Sequence, residues 1–287
     1  MIGNLVVFGV GLIGASVGLA LKEAGAVGRV VGIGRSRENL QRALDLGAID
    51  EVATDAREAV PAANLVLLAV PVGQVGAAMQ AVAPWLQAAT VVTDVGSTKR
   101  DVIEEARCYL APHLARFVPG HPIAGAEQSG AVAARAALFQ GRNVVLTPLP
   151  ENDARAIAQV ESLWRACGAL VSTLPAAQHD AIFGAVSHLP HLAAFALVAE
   201  IAGRGDAPEL FRFAASGFRD FTRIAGSSPE MWRDICLANR DVLLDELDRY
   251  LASLANIKSK LARGDADGLE AIFAAARSAR RAWLAEP

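Results

Sequence analysis

A parallel, doubly wound α/β half followed by an all-helical half is the fold this sequence predicts, on three observations. From the N-terminus to about residue 173, short β-rich apolar runs alternate with Ala/Leu-rich stretches of helical character, the pattern of a parallel sheet with crossover helices. Between the first apolar run and the first helical stretch lies Gly9-Val10-Gly11-Leu12-Ile13-Gly14, a glycine turn of the kind that joins a strand to a helix. After Pro175 the strand pattern stops and helical periodicity continues through the remainder.

The expected strands are Leu5–Gly9, Arg29–Ile33, Leu65–Val70, Thr90–Val95, Asn143–Thr147 and Ala169–Thr173. Helix ends are marked by glycine and serine: Leu12–Ala24 stops at Gly25, Arg37–Leu46 is capped by Ser36 and stopped by Gly47, and Val102–Leu110 follows the fourth strand. In the helical half, Pro190 precedes His191–Ala202, which is apolar on nearly every face and is therefore expected to be buried. Further on, Leu243, Tyr250 and Ile257 interleave with Leu247, Leu254 and Leu261, an a/d stripe on one long helix. That stripe needs cover, either from the terminal segment Leu269–Trp283 or from a second copy of the chain. Two domains are expected, 1–173 and 174–287.

At 287 residues and 30.0 kDa, with 53% hydrophobic and 20% charged residues, the chain can bury roughly 70–75% of its unfolded surface. A net charge of −3 and a pI near 6.0 leave no field to gather polyanions, which excludes nucleic acid as an expected partner. Cys108, Cys167 and Cys236 are odd in number, far apart and form no CxxC, against both a disulfide framework and a thiolate zinc site and in favour of a reducing compartment. Met1-Ile2-Gly3-Asn4 leads straight into an apolar strand, and no run of about 18 uncharged apolar residues is expected. The reading is a soluble cytoplasmic protein with no membrane partner.

The glycine turn lies where dinucleotide binding requires it. Gly9 permits the tight turn, Gly11 removes a Cβ that would hold backbone amides away from a pyrophosphate, and Gly14 lets the helix close on the strand. Leu12 and Ile13 open that helix, whose N-terminus supplies partial positive charge. Val70 and Pro71, at a strand's carboxyl end, are expected beside the same ligand. At the end of the second strand stands Gly34-Arg35-Ser36-Arg37, with no acid to accept from a ribose 2′-hydroxyl. Two guanidinium groups and a hydroxyl suit a 2′-phosphate, so NADP is favoured over NAD; the alternative is that Arg35 and Arg37 are solvated loop charges.

A second constellation is the loop Phe117-Val118-Pro119-Gly120-His121-Pro122-Ile123-Ala124-Gly125-Ala126-Glu127-Gln128-Ser129-Gly130, where glycines flank one imidazole. Together with Asp94-Val95-Gly96-Ser97-Thr98-Lys99, Ser187-His188-Leu189-Pro190-His191, Gly217-Phe218-Arg219-Asp220-Phe221-Thr222-Arg223-Ile224 and Pro229-Glu230-Met231-Trp232-Arg233-Asp234, it resembles the prephenate/arogenate dehydrogenases of tyrosine biosynthesis. The resemblance runs from Leu5 to about Trp232. It implies an N-terminal Rossmann-type doubly wound sheet followed by an all-α C-terminal dimerisation domain, hence a homodimer. It also implies oxidative decarboxylation of a cyclohexadienol with a nicotinamide as hydride acceptor and aromatisation as the driving force.

By that resemblance His121 accepts the ring-hydroxyl proton, Ser97 hydrogen-bonds near the hydroxyl and the nicotinamide, and Arg223 holds a substrate carboxylate. Ser97 could equally cap a helix starting at Thr98. His191 is placed in the substrate pocket, His188 beside it as a contact or brace, and Glu127 and Asp220 as ionic gates, with ordinary surface ion pairs as the alternative for the last two. Trp232 is expected in the core or the pocket wall. His188 and His191 stand three apart, a metal-ligand spacing, but Pro190 intervenes and no third ligand follows at suitable spacing, so no metal is expected. Two other readings share parts of this pattern: a β-hydroxyacid-type dehydrogenase, which would use a helical lysine in place of His121, and a non-catalytic NADP-sensing regulator, which would not need His121 and Arg223 together.

Overall fold

The structure, a computed structural model, describes residues 1–125 and 128–285. These fall into two compact units, Met1–Arg240 and Asp241–Pro287. The first begins with β1 (Ile2–Phe8), α1 (Leu12–Glu23), β2 (Val27–Ile33), α2 (Arg37–Asp45), β3 (Glu51–Ala53), α3 (Ala56–Ala59), β4 (Leu65–Leu68), α4 (Val75–Val82), β5 (Val91–Asp94) and α5 (Arg100–Tyr109). It continues with β6 (Phe117–Val118), β7 (Gly120–Pro122), β8 (Asn143–Leu146), α6 (Ala154–Ala166) and β9 (Leu170–Thr173). Helices α7 (Ala176–Phe183), α8 (Leu189–Ala202), α9 (Ala207–Arg212), α10 (Ser216–Thr222) and α11 (Pro229–Ala238) complete it, with a π-turn at Gly184–His188 joining α7 to α8.

Six parallel strands form the main sheet in the order β3-β2-β1-β4-β5-β6. The winding direction reverses between β1 and β4, so the crevice at their carboxyl ends is the topological switch point where ligands bind in such sheets. Helices cover both faces, which is why β4 reads Leu-Val-Leu-Leu with every residue fully buried and no polar alternation. Alternate side chains still serve different layers. Leu5, Val7, Leu65 and Leu67 pack with α1, α2 and α6, while Val6, Val66, Leu68 and Val92 pack with α3, α4 and α5. Each fully buried aliphatic side chain contributes about 1.5–3 kcal/mol.

The sheet pairing ends one or two residues before the apolar runs do, leaving Gly9, Val70, Val95 and Thr147 in the connections at the carboxyl ends. Three strands have no counterpart among the expected ones: β3, β6 and β7 are each two or three residues long, too short for a period-2 signal. The stretch 117–130, read from sequence as loop, is therefore corrected. His121 sits at the centre of β7, opposite Val145 in an antiparallel pair with β8, and β7-β8-β9 form a separate small sheet.

The expected burial of 191–202 is also corrected, since Ala194 alone is buried on α8. A helix apolar on all sides needs cover on all sides, and one chain supplies it on one. Ala176–Ala202 is moreover long and apolar enough, by length and composition, to cross a membrane, with 22% of the window buried. Asp180 and Glu200 are charged, and histidines and a serine interrupt the aliphatic run, so the sequence shows no unbroken apolar stretch there.

The second unit comprises α12 (Arg240–Arg263), from Asp241 on, and α13 (Ala266–Ala285). The a/d stripe is not covered along its length: Leu243 is buried, but Tyr250 is 37%, Leu254 43% and Leu261 63% exposed. No residue of α13 is buried, so the terminal segment does not supply the expected cover.

Candidate active site

The switch-point crevice begins at the glycine turn. Gly9 leaves β1 with φ +101°, and a Cβ there would strike the Ala69 carbonyl. Gly14 abuts the Gly9 carbonyl and Val7 with no room for a side chain, so α1 closes on β1. Gly11 differs, because no atom lies within 4 Å of the position its Cβ would take. It is the N-cap of α1, and no side chain caps that helix. Unobstructed amides at a helix N-terminus fit a pyrophosphate. Leu12 and Ile13 are half-buried in the first turn, Val70 lies against Gly9, and Pro71 is exposed beside it.

Arg35 and Arg37 are exposed past the end of β2, and no described carboxylate pairs with either. The Ser36 hydroxyl caps α2 as expected, accepting from the Asn39 amide at 3.2 Å. Asn39 spans two segments: its Nδ2 donates to the Val10 carbonyl at 2.5 Å, and its Oδ1 accepts from the Ala131 amide at 2.8 Å. The residues present at this end of the crevice fit a dinucleotide.

At the carboxyl end of β5 a second cluster forms. Lys99 Nζ pairs with Asp94 Oδ2 at 2.5 Å, both side chains fully buried. The same ammonium donates to the Gly120 carbonyl at 2.8 Å, and the Gly120 amide donates to Asp94 Oδ1 at 3.1 Å. Removing one partner of a buried pair costs about 3–5 kcal/mol, so this pair fixes the start of β7 firmly. The next residue is His121, 9% exposed. Its Nδ1 lies 2.9 Å from His179 Nε2, and His179 Nδ1 lies 2.8 Å from Asp180 Oδ1. Phe183 packs edge-on against His121 and tilted against His179, with ring centroids at 5.0 and 4.5 Å.

Asp180 also accepts from the Lys99 amide at 2.8 Å, the Arg100 amide at 2.9 Å and Arg100 Nε at 3.2 Å. A carboxylate from α7 thus caps α5. Ser97 does not; it is half-buried in the connection ahead of the helix, and the N-cap alternative for it is corrected. Asn239, buried at the end of α11, donates to the Asp180 carbonyl and to His188 Nδ1 and accepts from Arg100.

Burial pushes the His121 imidazole well below its ordinary value of 6.5, with His179, Lys99 and His188 acting in the same sense. Burial also lowers His179, against the pull of its Asp180 hydrogen bond. At Asp180 burial raises the carboxyl, but hydrogen bonds from His179 and from the Arg100 and Lys99 amides outweigh it and hold the group below the usual range. A neutral His–His pair anchored on a carboxylate is the result near neutral pH.

His188, His191 and Trp232 form the wall beyond. His188 is buried, pushed to about 4 chiefly by desolvation, and its ring meets Trp232 edge-on at 6.0 Å. The His191 ring stacks on Trp232 at 3.7 Å and 20°, and its Nδ1–H donates to the Ser187 carbonyl at 2.9 Å. Arg223 is exposed and within electrostatic reach of His191, whose pKa burial lowers and the guanidinium lowers further. His121, His188, His191 and Arg223 therefore form one electrostatically connected series. Asp220 lies exposed on α10 and pairs with no described residue. Glu127 lies outside the described residues. Among the described residues, no group of three His, Cys, Asp or Glu side chains is placed to hold a metal.

His179, Asp180 and Asn239 were not singled out by sequence reasoning. A His-Asp dipeptide in an otherwise apolar helix is the one signal that could have pointed to them, because a buried charge needs partners.

Strand order, glycine turn and a buried imidazole at the strand ends define a dinucleotide-dependent dehydrogenase with a helical second half. Two family descriptions match nearly the whole chain: "Prephenate dehydrogenase, nucleotide-binding domain" over residues 17–173 and "Prephenate dehydrogenase, dimerization domain" over residues 175–275. The chain belongs to the prephenate dehydrogenase family. It is 37% identical over 279 residues to a prephenate dehydrogenase of Bacillus subtilis, covering 96% of this chain and 75% of that one. It is 37% identical over 284 residues to a cyclohexadienyl dehydrogenase of Zymomonas mobilis, covering 97% and 95%. The crystal structure of prephenate dehydrogenase from A. aeolicus in complex with hydroxyphenyl propionate and NAD+ superposes with a TM-score of 0.91 at 34% identity, covering 98% of each chain.

Proposed function

We propose that this chain oxidises and decarboxylates prephenate, arogenate or both, giving 4-hydroxyphenylpyruvate or tyrosine. The observation that carries the reading is His121: neutral near pH 7, held by its Nδ1 in a buried series, with an Nε2 that bonds to no described residue. When bound, the nicotinamide supplies the hydride acceptor. His121 Nε2 takes the ring-hydroxyl proton, a contribution of about 10²–10⁴ in rate. Ser97 hydrogen-bonds beside that hydroxyl, and Arg223 holds a carboxylate, aligning the ring. The wall of His191 and Trp232, braced by His188, faces the substrate side chain, and Asp220 gates the cleft. The ring carboxylate leaves as CO₂, and the aromatic ring that results makes the reaction effectively irreversible.

Gly9, Gly11, Leu12, Ile13, Gly14, Val70 and Pro71 cradle the cofactor. Arg35, Ser36 and Arg37 meet a 2′-phosphate, supported by the absence of a described acidic partner for either guanidinium. Steady-state assays of reduced-nicotinamide absorbance with each substrate and each cofactor test the reading. Turnover of at least one substrate, with kcat/KM higher for NADP⁺ than for NAD⁺, is expected. Equal values for the two cofactors remove the assignment of Arg35 and Arg37, and failure to turn over either substrate overturns the function.

The functional division falls at 173/174, between nucleotide-binding and helical halves, and the helical half pairs two chains. Exposed Tyr250, Leu254 and Leu261 on one stripe, with α8 largely uncovered, support a homodimer. Sedimentation of the wild type as a dimer and of Leu254→Glu as a folded monomer is the expected outcome; a wild-type monomer at micromolar concentration removes the pairing. Three free cysteines, one of them exposed, support a reducing, cytoplasmic location.

A further inference from the structure

His179 and Asp180 take no part in the chemistry above, yet both are buried and aligned behind His121. We propose that they are positioning residues that choose which nitrogen of His121 carries the lone pair. This rests on the reading of His121 as proton acceptor.

The donor sequence follows from one ionised group. Asp180 is a carboxylate and can only accept, so the bond to His179 places a hydrogen on His179 Nδ1. The neutral His179 ring then has its lone pair on Nε2, and that nitrogen must accept from His121 Nδ1–H. His121 in turn keeps its hydrogen on Nδ1 and presents a bare Nε2. Reversing any one hydrogen along the series would give His121 an Nε2–H, which cannot accept a proton. When Nε2 does take the hydroxyl proton, the O–H bond breaks, an N–H bond forms, and the new imidazolium still donates through Nδ1 to His179 with the Asp180 charge behind it.

The surroundings hold the series in this state. From the β5–α5 side come Asp94, Lys99 and Arg100. From α7 come His179 and Asp180, from the π-turn His188, and from α11 the neutral Asn239. Lys99 opposes any proton on either ring, while its ion pair with Asp94 keeps it from reaching the relay as a donor. Phe183 packs against both rings.

The test combines tautomer measurement with kinetics on the intact enzyme. In ¹⁵N spectra of the wild type, His121 should show the Nδ1–H tautomer. In Asp180→Asn the amide NH₂ donates to His179 Nδ1, and His121 should switch to Nε2–H. In a serine protease the same carboxylate-to-amide change costs about 10⁴ in kcat through the wrong tautomer; a fall of at least about tenfold, with cofactor Kd unchanged, is expected here. Because Asp180 also caps α5, that variant can fail to fold, and His179→Phe then carries the kinetic arm. It should lower kcat at least about tenfold, leave KM for substrate within a few-fold, and release His121 from the Nδ1–H tautomer in the ¹⁵N spectrum, since Nδ1 loses its acceptor. An Nε2–H tautomer in the wild type, or a His179→Phe enzyme with wild-type kcat and the wild-type His121 tautomer, overturns the proposal. Full activity in His121→Asn overturns the proton-acceptor reading itself, whereas an inactive His121→Asn beside an unaltered His179→Phe overturns the relay alone.

Discussion

Replacing His121 with asparagine should lower kcat at least about a hundredfold, in line with the loss of a general base, while NADP⁺ and NAD⁺ bind as before. Asparagine approximates the size of the ring and can keep one hydrogen bond to His179, so β7 and the Lys99–Asp94 clamp at its start should persist. What disappears is a nitrogen lone pair that is free to accept a proton at neutral pH. The effect corresponds to at least about 2.7 kcal/mol of lost transition-state stabilisation. A loss under tenfold would contradict the assignment. The pH dependence has a definite sign. A base must be neutral to act, and burial holds His121 well below 6.5, so the wild-type enzyme should keep its kcat/KM through pH 6.5 and lose it only at more acid pH.

The second large effect belongs to Arg223. Substitution by lysine keeps the positive charge near His191 but gives up the planar fork that meets a carboxylate with two parallel bonds. Hydrogen bonds to charged groups contribute about 1.5–3 kcal/mol each, so the substrate KM should rise at least about tenfold. The cofactor KM should move much less, because the guanidinium sits on the helical side with His191 and Trp232. Equal changes in both KM values would show that Arg223 shapes the fold rather than the substrate site.

Most of the nucleotide-binding half was legible in the sequence because its signals are local. A glycine turn, fully apolar strands such as Leu65–Leu68, and the Ser36 cap all act within a few residues. β7 was not legible, since three residues carry no periodicity and its partner, β8, lies more than twenty residues further on. His121 stood out through its flanking glycines, but the groups that fix its state did not. His179 and Asp180 come from α7, Lys99 from the turn before α5, and Asn239 from the end of α11. A hydrogen-bond network assembled from four separated segments leaves no spacing pattern. The uncovered face of α8 marks a different limit, because apolar periodicity shows that a surface must be covered without saying by which chain.

The amide of Asn39 ties the glycine turn to Ala131, and the strap that follows is pinned to α1 where the Arg135 amide donates to Ser16 Oγ at 3.0 Å and Leu138 and Phe139 enter the core. That strap runs directly into β8, the strand on which His121 is registered. Turn and imidazole are thus the two jaws of one caliper whose opening is set before any ligand arrives. A dinucleotide entering on that side should therefore need little reordering, which would leave its affinity undiminished by rearrangement.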